Sequence, residues 1–217
     1  MNDQLQGIEV LIWDIDGTLY PIDDVISKEV FESAYSAICE LTGWPRDKAI
    51  EEFEKIHGKI TLSATEAVGI ICNVTTAKAA GYTDKYLNRL RFIKRDTKLI
   101  ALFEALSGFK HFILGNGSRG PIAKALDVLG IARSTFIEIV TSEVVGVNKP
   151  KDNGFRYILE KTGLPAASHL MIGDREKVDL MPAKALGMKT CLVWSVKPSM
   201  IADVTIPTVY ELSQVLI

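Results

Sequence analysis

The 217-residue sequence has few of the residues that tie a fold together by covalent or metal cross-links. Its three cysteines, Cys39, Cys72 and Cys191, are odd in number, far apart and without metal-type spacing. We expect them to be small buried thiols in a reducing compartment. The sequence also lacks internal repeats and low-complexity segments.

Strong net charge and long apolar runs are missing as well. A formal net charge of −2 gives no electrostatic basis for binding nucleic acid or an anionic membrane surface. No apolar run approaches the roughly 18 residues that a membrane-spanning helix needs. The polar start, MNDQLQGIEV, does not resemble a signal peptide. We therefore expect a cytoplasmic protein with one large domain, or a main domain with an insertion.

The sequence does contain an apolar segment that ends in two acids, IEVLIWDIDGTLY (residues 8–20). The almost continuous apolar run predicts a strand buried on both faces of a parallel sheet, and it stops at Asp14. Asp16 follows two residues later, and side chains two apart on an extended chain point the same way. Two such carboxylates either divide the roles of nucleophile and proton carrier or share a divalent metal. A turn after the strand explains the same pattern.

The rest of the chain divides into two regions with different patterns. Residues 21–96 read almost entirely as helix, including 64–72, and contain no convincing strand. From residue 97 onwards short apolar strands alternate with amphipathic helices, which predicts βαβ units and a doubly wound, Rossmann-like parallel sheet. The predicted strands are residues 111–114, 136–140, 169–173, 189–194 and a short one around 204–206. We predict an α/β core of residues 1–20 and 97–217 that is interrupted by a helical insertion, residues 21–96.

Polar signatures follow these strands, and in a doubly wound sheet the loops after the strands open on one edge. The loop from Gly115 through Asn116 to Ser118 lies before a helix N-terminus, where backbone N–H groups favour an anion. Such a loop is also a common turn, with Ser118 as the helix cap.

Lys149 and two further acids complete the set of candidate residues. Beside a nucleophilic carboxylate, the Lys149 ammonium would neutralise both that group and a phosphate; taken alone, it reads as an exposed lysine. Asp174 follows a strand directly and is a candidate oxygen ligand for Mg²⁺, or alternatively a helix cap. We expect Asp179 to hold Lys149 or a metal-bound water rather than to bind the metal directly.

Together these motifs resemble the haloacid dehalogenase-like (HAD) hydrolase superfamily. They occur in that family's order as DIDGTLY, the Gly–Asn loop, NKP with Lys149, and GDREKVD followed by AKALGMKT. The resemblance spans the chain outside residues 21–96, and that insertion looks like the family's α-helical, C1-type cap. It implies a doubly wound core that carries the active site and a cap that selects the leaving group.

The resemblance also implies an activity, a Mg²⁺-dependent phosphatase acting on a small phosphorylated metabolite. Asp14 would attack phosphorus to give an aspartyl-phosphate, and Asp16 would protonate the leaving oxygen and then activate water. Lys149 would bridge the nucleophile and the phosphate. Mg²⁺ would be bound by Asp14, the backbone carbonyl of Asp16, and Asp174.

One departure from the family pattern concerns phosphate binding. The family usually has a Thr or Ser hydroxyl where this chain has Gly115, so Ser118 or backbone N–H groups would have to replace that donor. Losing one such donor typically costs ~3 kcal/mol, or about a hundredfold in rate. A catalytically weak protein that binds a phosphorylated metabolite is therefore an alternative. A phosphomutase and a 2-haloacid dehalogenase are others, although the dehalogenase branch normally lacks the second aspartate and needs no Mg²⁺.

The basic stretch of residues 85–98 is interleaved with apolar residues. It reads as an amphipathic segment of the insertion with a solvated face. We expect some of its cations to attract an anionic substrate. The sequence does not distinguish a nucleotide from a sugar phosphate or phosphoglycolate, and it leaves the oligomeric state open.

Overall fold

Six parallel strands form the central sheet of the protein in the computed structural model, which describes residues 5–217. The strands are β1 (Val10–Trp13), β2 (Lys110–Leu114), β3 (Phe136–Val140), β4 (His169–Gly173), β5 (Lys189–Leu192) and β6 (Val204–Thr205). They lie in the order β3-β2-β1-β4-β5-β6, and each neighbouring pair is parallel. The predicted doubly wound α/β fold is confirmed.

The first strand, β1, lies in the middle of the sheet and is buried on both faces. Leu11 and Trp13 belong to the apolar core on one face, whereas Val10 and Ile12 belong to the core on the other. All four side chains are fully buried. The uninterrupted apolar run in the sequence therefore reflects a strand that must satisfy two cores at once.

Helices cover both faces of the sheet and also form the insertion after β1. The insertion contains α1 (Asp24–Thr42), α2 (Arg46–Ile56), α3 (Ala64–Cys72) and α4 (Thr76–Tyr86). The later helices are α5 (Thr97–Ala105), α6 (Arg119–Leu129), α7 (Ser142–Val145), α8 (Asn153–Thr162), α9 (Met181–Ala185) and α10 (Leu212–Leu216). A π-helical turn covers Glu176–Leu180, and 3₁₀ turns cover Arg89–Arg91, Arg133–Thr135, Ala166–Ser168 and Val209–Glu211. The helices α5, α6 and α10 pack on one face of the sheet, and α8 and α9 pack on the other.

The four helices of the insertion pack around an apolar cluster of their own. Phe53 lies at its centre, 2 % exposed. Its ring centroid is 5.8 Å from that of Phe31, 5.3 Å from that of Tyr35 and 4.9 Å from that of His57. Aromatic contacts of this kind contribute beyond the area that they bury, so Phe53 holds the insertion together.

The element bounds agree with the sequence patterns where those patterns are regular. The bounds of β3, β4 and α3 are those predicted, whereas β5 ends at Leu192 instead of Trp194. Helix α4 lies in the region predicted as helical, but no bounds were predicted for it, because its Ala/Thr-rich sequence shows no clear apolar stripe. The π-helical turn was not predicted.

Two expectations about cysteines and membranes can be compared with the structure. Cys191 is buried, but Cys39 and Cys72 are only half-buried, so the expectation that all three are buried was wrong. All three are free thiols. None of the helices within residues 5–217 has both the length and the apolar content that a bilayer span requires.

Replacing Phe53 by Ala is expected to lower the free energy of unfolding by about 3–5 kcal/mol, because a buried ring leaves a cavity between four helices. Urea denaturation measures this as a lower midpoint. Ile60→Ala is the matched control, since Ile60 is 67 % exposed, and it should change stability by less than about 0.5 kcal/mol. Equal effects of the two substitutions would contradict this account of the cluster.

Candidate active site

The carboxyl ends of β2, β1 and β4 lie side by side at one edge of the sheet. Asp14 follows β1, Gly115 follows β2 and Asp174 follows β4. Lys149 reaches the same edge from the loop after α7. The structure thus brings together four clusters that are far apart in sequence, as the topology of a doubly wound sheet requires.

A buried ion-pair triad lies at the centre of this edge. Lys149 Nζ is 2.6 Å from Asp14 Oδ1 and 2.7 Å from Asp179 Oδ1. All three residues are 0–2 % exposed. Burial disfavours the charged ammonium, but the Asp14 and Asp179 carboxylates outweigh it and raise the pKa of Lys149. Lys149 therefore stays protonated beside Asp14.

The other oxygen of Asp14 is held by Thr18, which the sequence reasoning did not single out. Thr18 Oγ1 donates to Asp14 Oδ2 over 3.1 Å, and the Thr18 carbonyl accepts a hydrogen bond from Trp194 Nε1. Both oxygens of Asp14 are thus fixed. The sequence does contain a sign of this contact, since the hydroxyl-bearing Thr18 lies four residues after Asp14, the acid at the end of β1.

Gly17 allows the loop after β1, which contains Asp14 and Asp16, to approach Asp174. Its φ is +88°, and a Cβ at this position would lie 2.4 Å from Asp174 Oδ2. Any side chain would be strained and would also clash with that carboxylate. The glycine after the two acids is therefore required by the close packing of the acidic groups.

Asp174 takes part in an acidic cluster that has the character of a cation site. One oxygen each of Asp14, Asp174 and Asp179 lie within 4.8 Å of one another. Asp174 Oδ1 is buried and has no hydrogen-bond partner. Burial, followed by the charges of Asp14 and Asp179, raises the pKa of Asp174 to about 7. A hard divalent cation that binds carboxylate oxygens would remove this repulsion, so the residues present fit Mg²⁺.

Asp16 lies at the mouth of the site and is held by residues outside the sequence-predicted set. Arg89 Nη1 is 3.0 Å from Asp16 Oδ2, and the Tyr20 hydroxyl donates to Asp16 Oδ1. The Asp16 side chain is 29 % exposed. Burial, together with the charge of Asp16, raises the pKa of Tyr20, so its hydroxyl remains a proton donor.

The glycine–asparagine loop is organised around the backbone of Lys149. Asn116 Nδ2 donates to the Lys149 carbonyl over 3.0 Å, and Asn116 Oδ1 accepts from the Lys149 N–H over 2.9 Å. The Asn116 side chain therefore positions Lys149. Ser118 is the first residue flanking α6, but its side chain makes no capping hydrogen bond. At Gly115 a Cβ would lie 2.8 Å from Ile122 Cδ1, so a larger residue requires Ile122 to shift.

Two charged residues of the insertion reach this loop. Asp84 Oδ2 accepts from the Ser118 N–H over 3.0 Å, and Asp84 Oδ1 is 3.3 Å from Arg89 Nη2. Arg89 is only 5 % exposed, so the interpretation of the basic stretch as a solvated face was wrong for this residue. Burial raises the pKa of Asp84 above its ordinary value.

A cavity of about 720 Å³ lies between the insertion and this edge of the sheet. The sheet edge contributes Asp16, Asn116 and Asp174, and the insertion contributes apolar side chains such as Phe31 and Leu87. Its volume lies in the range typical of small-molecule sites.

Known proteins resemble this chain in sequence and in fold. The family model described as haloacid dehalogenase-like hydrolase matches residues 8–187. A glyceraldehyde 3-phosphate phosphatase of Methanocaldococcus jannaschii is 28% identical over 192 residues, which are 84% of this chain and 83% of the relative. The pyrimidine 5'-nucleotidase YjjG of Escherichia coli is 34% identical over 123 residues, or 54% of each chain. A HAD phosphatase from Thermococcus onnurineus has a similar fold, with a TM-score of 0.68, 22% identity and coverage of 96% and 98% of the two chains.

The metal-free protein is expected to lose stability as the pH rises from about 4 to about 7. The folded-state pKa of Asp174, about 7, lies above its ordinary value of 3.8. Between these two values the folded state keeps a proton that the unfolded state has released, so stability falls with rising pH until the pH passes the folded pKa. In EDTA at about pH 8.5, Asp174→Asn should therefore unfold at higher urea concentration than the wild type.

The exposed substitution Asp24→Asn is the control and should leave the pH dependence of the wild type intact. Wild-type protein that is as stable at about pH 8 as at about pH 5 in EDTA would contradict this description of the acidic cluster.

Proposed function

The chain belongs to the haloacid dehalogenase-like hydrolase family, and from this premise we propose that it is a Mg²⁺-dependent phosphatase acting on the phosphate monoester of a small metabolite. The observation that carries the proposal is the buried contact of 2.6 Å between Lys149 Nζ and Asp14 Oδ1, beside an acidic cluster. An ionised carboxylate oriented by a cation and a hydroxyl is poised to act as a nucleophile.

Asp14 and Asp174 are the proposed side-chain ligands of Mg²⁺, together with the backbone carbonyl of Asp16. When bound, Mg²⁺ would neutralise charge between the nucleophile and the phosphate. Asp179 already pairs with Lys149 and accepts from the Arg175 N–H, so its proposed role is to position Lys149.

In the first step, an oxygen of Asp14 forms a bond to phosphorus while the bond from phosphorus to the leaving oxygen breaks. Asp16, in its protonated form, gives its proton to that leaving oxygen, and the product alcohol departs. Lys149 stabilises the negative charge on the transferring phosphoryl group. The result is an aspartyl-phosphate on Asp14.

In the second step, water attacks the phosphorus of the aspartyl-phosphate. Asp16, now a carboxylate, takes a proton from that water, and the bond between Asp14 and phosphorus breaks to release inorganic phosphate. The carboxylate form fits the contacts of Asp16, since Arg89 and Tyr20 both donate to it.

The phosphate-binding groups proposed from the sequence are Lys149, Gly115, Asn116 and Ser118. The side-chain amide of Asn116 is bound to the Lys149 backbone. The main-chain N–H of Asn116 is therefore the group by which Asn116 would donate to the phosphate. The missing hydroxyl at Gly115 is also the one feature in favour of a weakly catalytic protein that binds a phosphorylated metabolite.

The helical insertion, residues 21–96, is proposed to act as a cap domain on a core of residues 1–20 and 97–217. The apolar lining of the 720 Å³ cavity would select the leaving group and exclude water. The relatives named as a glyceraldehyde 3-phosphate phosphatase and as a pyrimidine 5'-nucleotidase support a small phosphorylated substrate. The free thiols support the cytoplasm as its compartment.

The alternative activities, those of a 2-haloacid dehalogenase and of a phosphomutase, are less well supported. The dehalogenase branch normally lacks a second acid in the first motif, whereas Asp16 here carries a dedicated set of donors. A mutase would use the same residues, so analysis of the product decides between transfer to water and transfer to another sugar position.

Asp14→Asn is expected to lower phosphate release by at least about a thousandfold, because the amide is a poor nucleophile. The assay is release of inorganic phosphate from a panel that includes glyceraldehyde 3-phosphate and pyrimidine nucleoside monophosphates, with Mg²⁺ and with EDTA. The wild type should act only with Mg²⁺.

Asp24→Asn serves as the control, since Asp24 is exposed in the first turn of α1. If Asp14→Asn releases inorganic phosphate as fast as the wild type, the proposed mechanism is wrong. Binding of phosphorylated compounds by the wild type without any release would instead favour the binding protein.

A further inference from the structure

Arg89 is a buried cation that the proposed reaction leaves without a role toward the substrate. It is 5 % exposed and lines the cavity beside Asp16 and Gly117. Its Nη1 contacts Asp16 and its Nη2 contacts Asp84, whereas its Nε is buried without a hydrogen-bond partner. A buried guanidinium with an unused donor is costly unless a further acceptor binds there.

The Asp84 carboxylate occupies a position that suits a phosphoryl oxygen. One of its oxygens accepts from the Ser118 N–H, and the other lies 3.3 Å from Arg89 Nη2. Ser118 flanks the N-terminus of α6, an 11-residue helix whose dipole favours an anion. A helix N-terminus and a guanidinium together form an anion site, and an acid of the insertion occupies it here.

The loop that contains Ser118 lacks a donor that the sequence led us to expect at Gly115. Gly115 has no hydroxyl, and Ile122 occupies the space where its side chain would begin. Arg89 Nη2 lies only 3.6 Å from the position of a Cβ at Gly117, so the guanidinium borders the loop. Arg89 thus brings a donor to the loop that Gly115 leaves short of one.

Taking the phosphoryl transfer proposed above as the reaction, we propose that Arg89 and the Ser118 N–H form a phosphoryl-oxygen site, which Asp84 occupies until the substrate displaces it. Arg89 replaces the donor missing at Gly115. Asp84 acts as an internal competitor, because its carboxylate uses the two donors that the phosphate needs. A phosphate dianion carries more charge and more acceptor oxygens than a carboxylate, so it can displace Asp84.

The proposal makes opposite predictions for the two residues. Asp84→Asn removes the competing charge and should tighten phosphate binding by roughly three- to tenfold, whereas Arg89→Gln removes a charged donor and should weaken it by roughly ten- to hundredfold. A purely structural role for the pair predicts weaker or unchanged binding in both variants, because each substitution breaks the same ion pair.

The experiment is isothermal titration of the full-length protein with inorganic phosphate in the presence of Mg²⁺. The variants are Asp84→Asn, Arg89→Gln and the double variant, which avoids leaving Asp84 as an unpaired buried charge. The decisive comparison is between Asp84→Asn and the double variant. Arg156→Gln is the control, since Arg156 is exposed on α8, outside the insertion, and this variant should bind phosphate like the wild type.

Tighter binding by Asp84→Asn and its loss in the double variant are the expected results. The proposal is overturned if Asp84→Asn binds phosphate more weakly than the wild type or within about twofold of it, or if the double variant binds within about twofold of Asp84→Asn. The titration does not depend on turnover, so it tests the phosphate site at Arg89 independently of the proposed phosphatase activity. Ester hydrolysis with no response of phosphate affinity to Arg89 would overturn only this site, and the expected affinities without hydrolysis would overturn only the phosphatase.

Discussion

The contact between Lys149 and Asp14 is the interaction on which the rest of the site depends. Gathering three carboxylates at one sheet edge is unfavourable, and the Lys149 ammonium pairs with only two of them, Asp14 and Asp179. Asp174 has a looser contact, 3.9 Å from Arg175 Nε, and burial together with the charges of Asp14 and Asp179 raises its pKa. The chain therefore carries an excess of buried negative charge, and that excess makes the site suited to a divalent cation.

This crowding of acids constrains the backbone as strongly as the side chains. Gly17 lies against Asp174, and a Cβ at Gly173 would lie 2.6 Å from Cβ of Asp179. Asn116 holds the Lys149 backbone in place through both the nitrogen and the oxygen of its side-chain amide. The glycines and the asparagine near the acids are thus explained by close packing around the ion pairs before any ligand is considered.

The parts of the molecule that could be predicted from the sequence are those with a local signal. The apolar run of β1 required a doubly buried strand, and the acids after β1 and β4 required neighbouring loops once the sheet was parallel. Arg89 and Asp84 gave no such signal. Their burial depends on how the chain returns from the insertion to the core, and the Ala/Thr-rich helix that precedes Arg89 lacks the apolar stripe that would have oriented it.

The insertion therefore contributes charged side chains to the site as well as part of the cavity lining. Arg89 contacts Asp16, which lies in the loop after β1, and Asp84 contacts Ser118, which lies in the loop after β2. Separating the insertion from the sheet would break both contacts, leaving Asp16 with the Tyr20 hydroxyl as its donor and the Ser118 N–H without its acceptor. A phosphate that binds Arg89 would compensate for the second loss. Because of this coupling, occupancy of the phosphate site and the position of the insertion must influence each other's free energy.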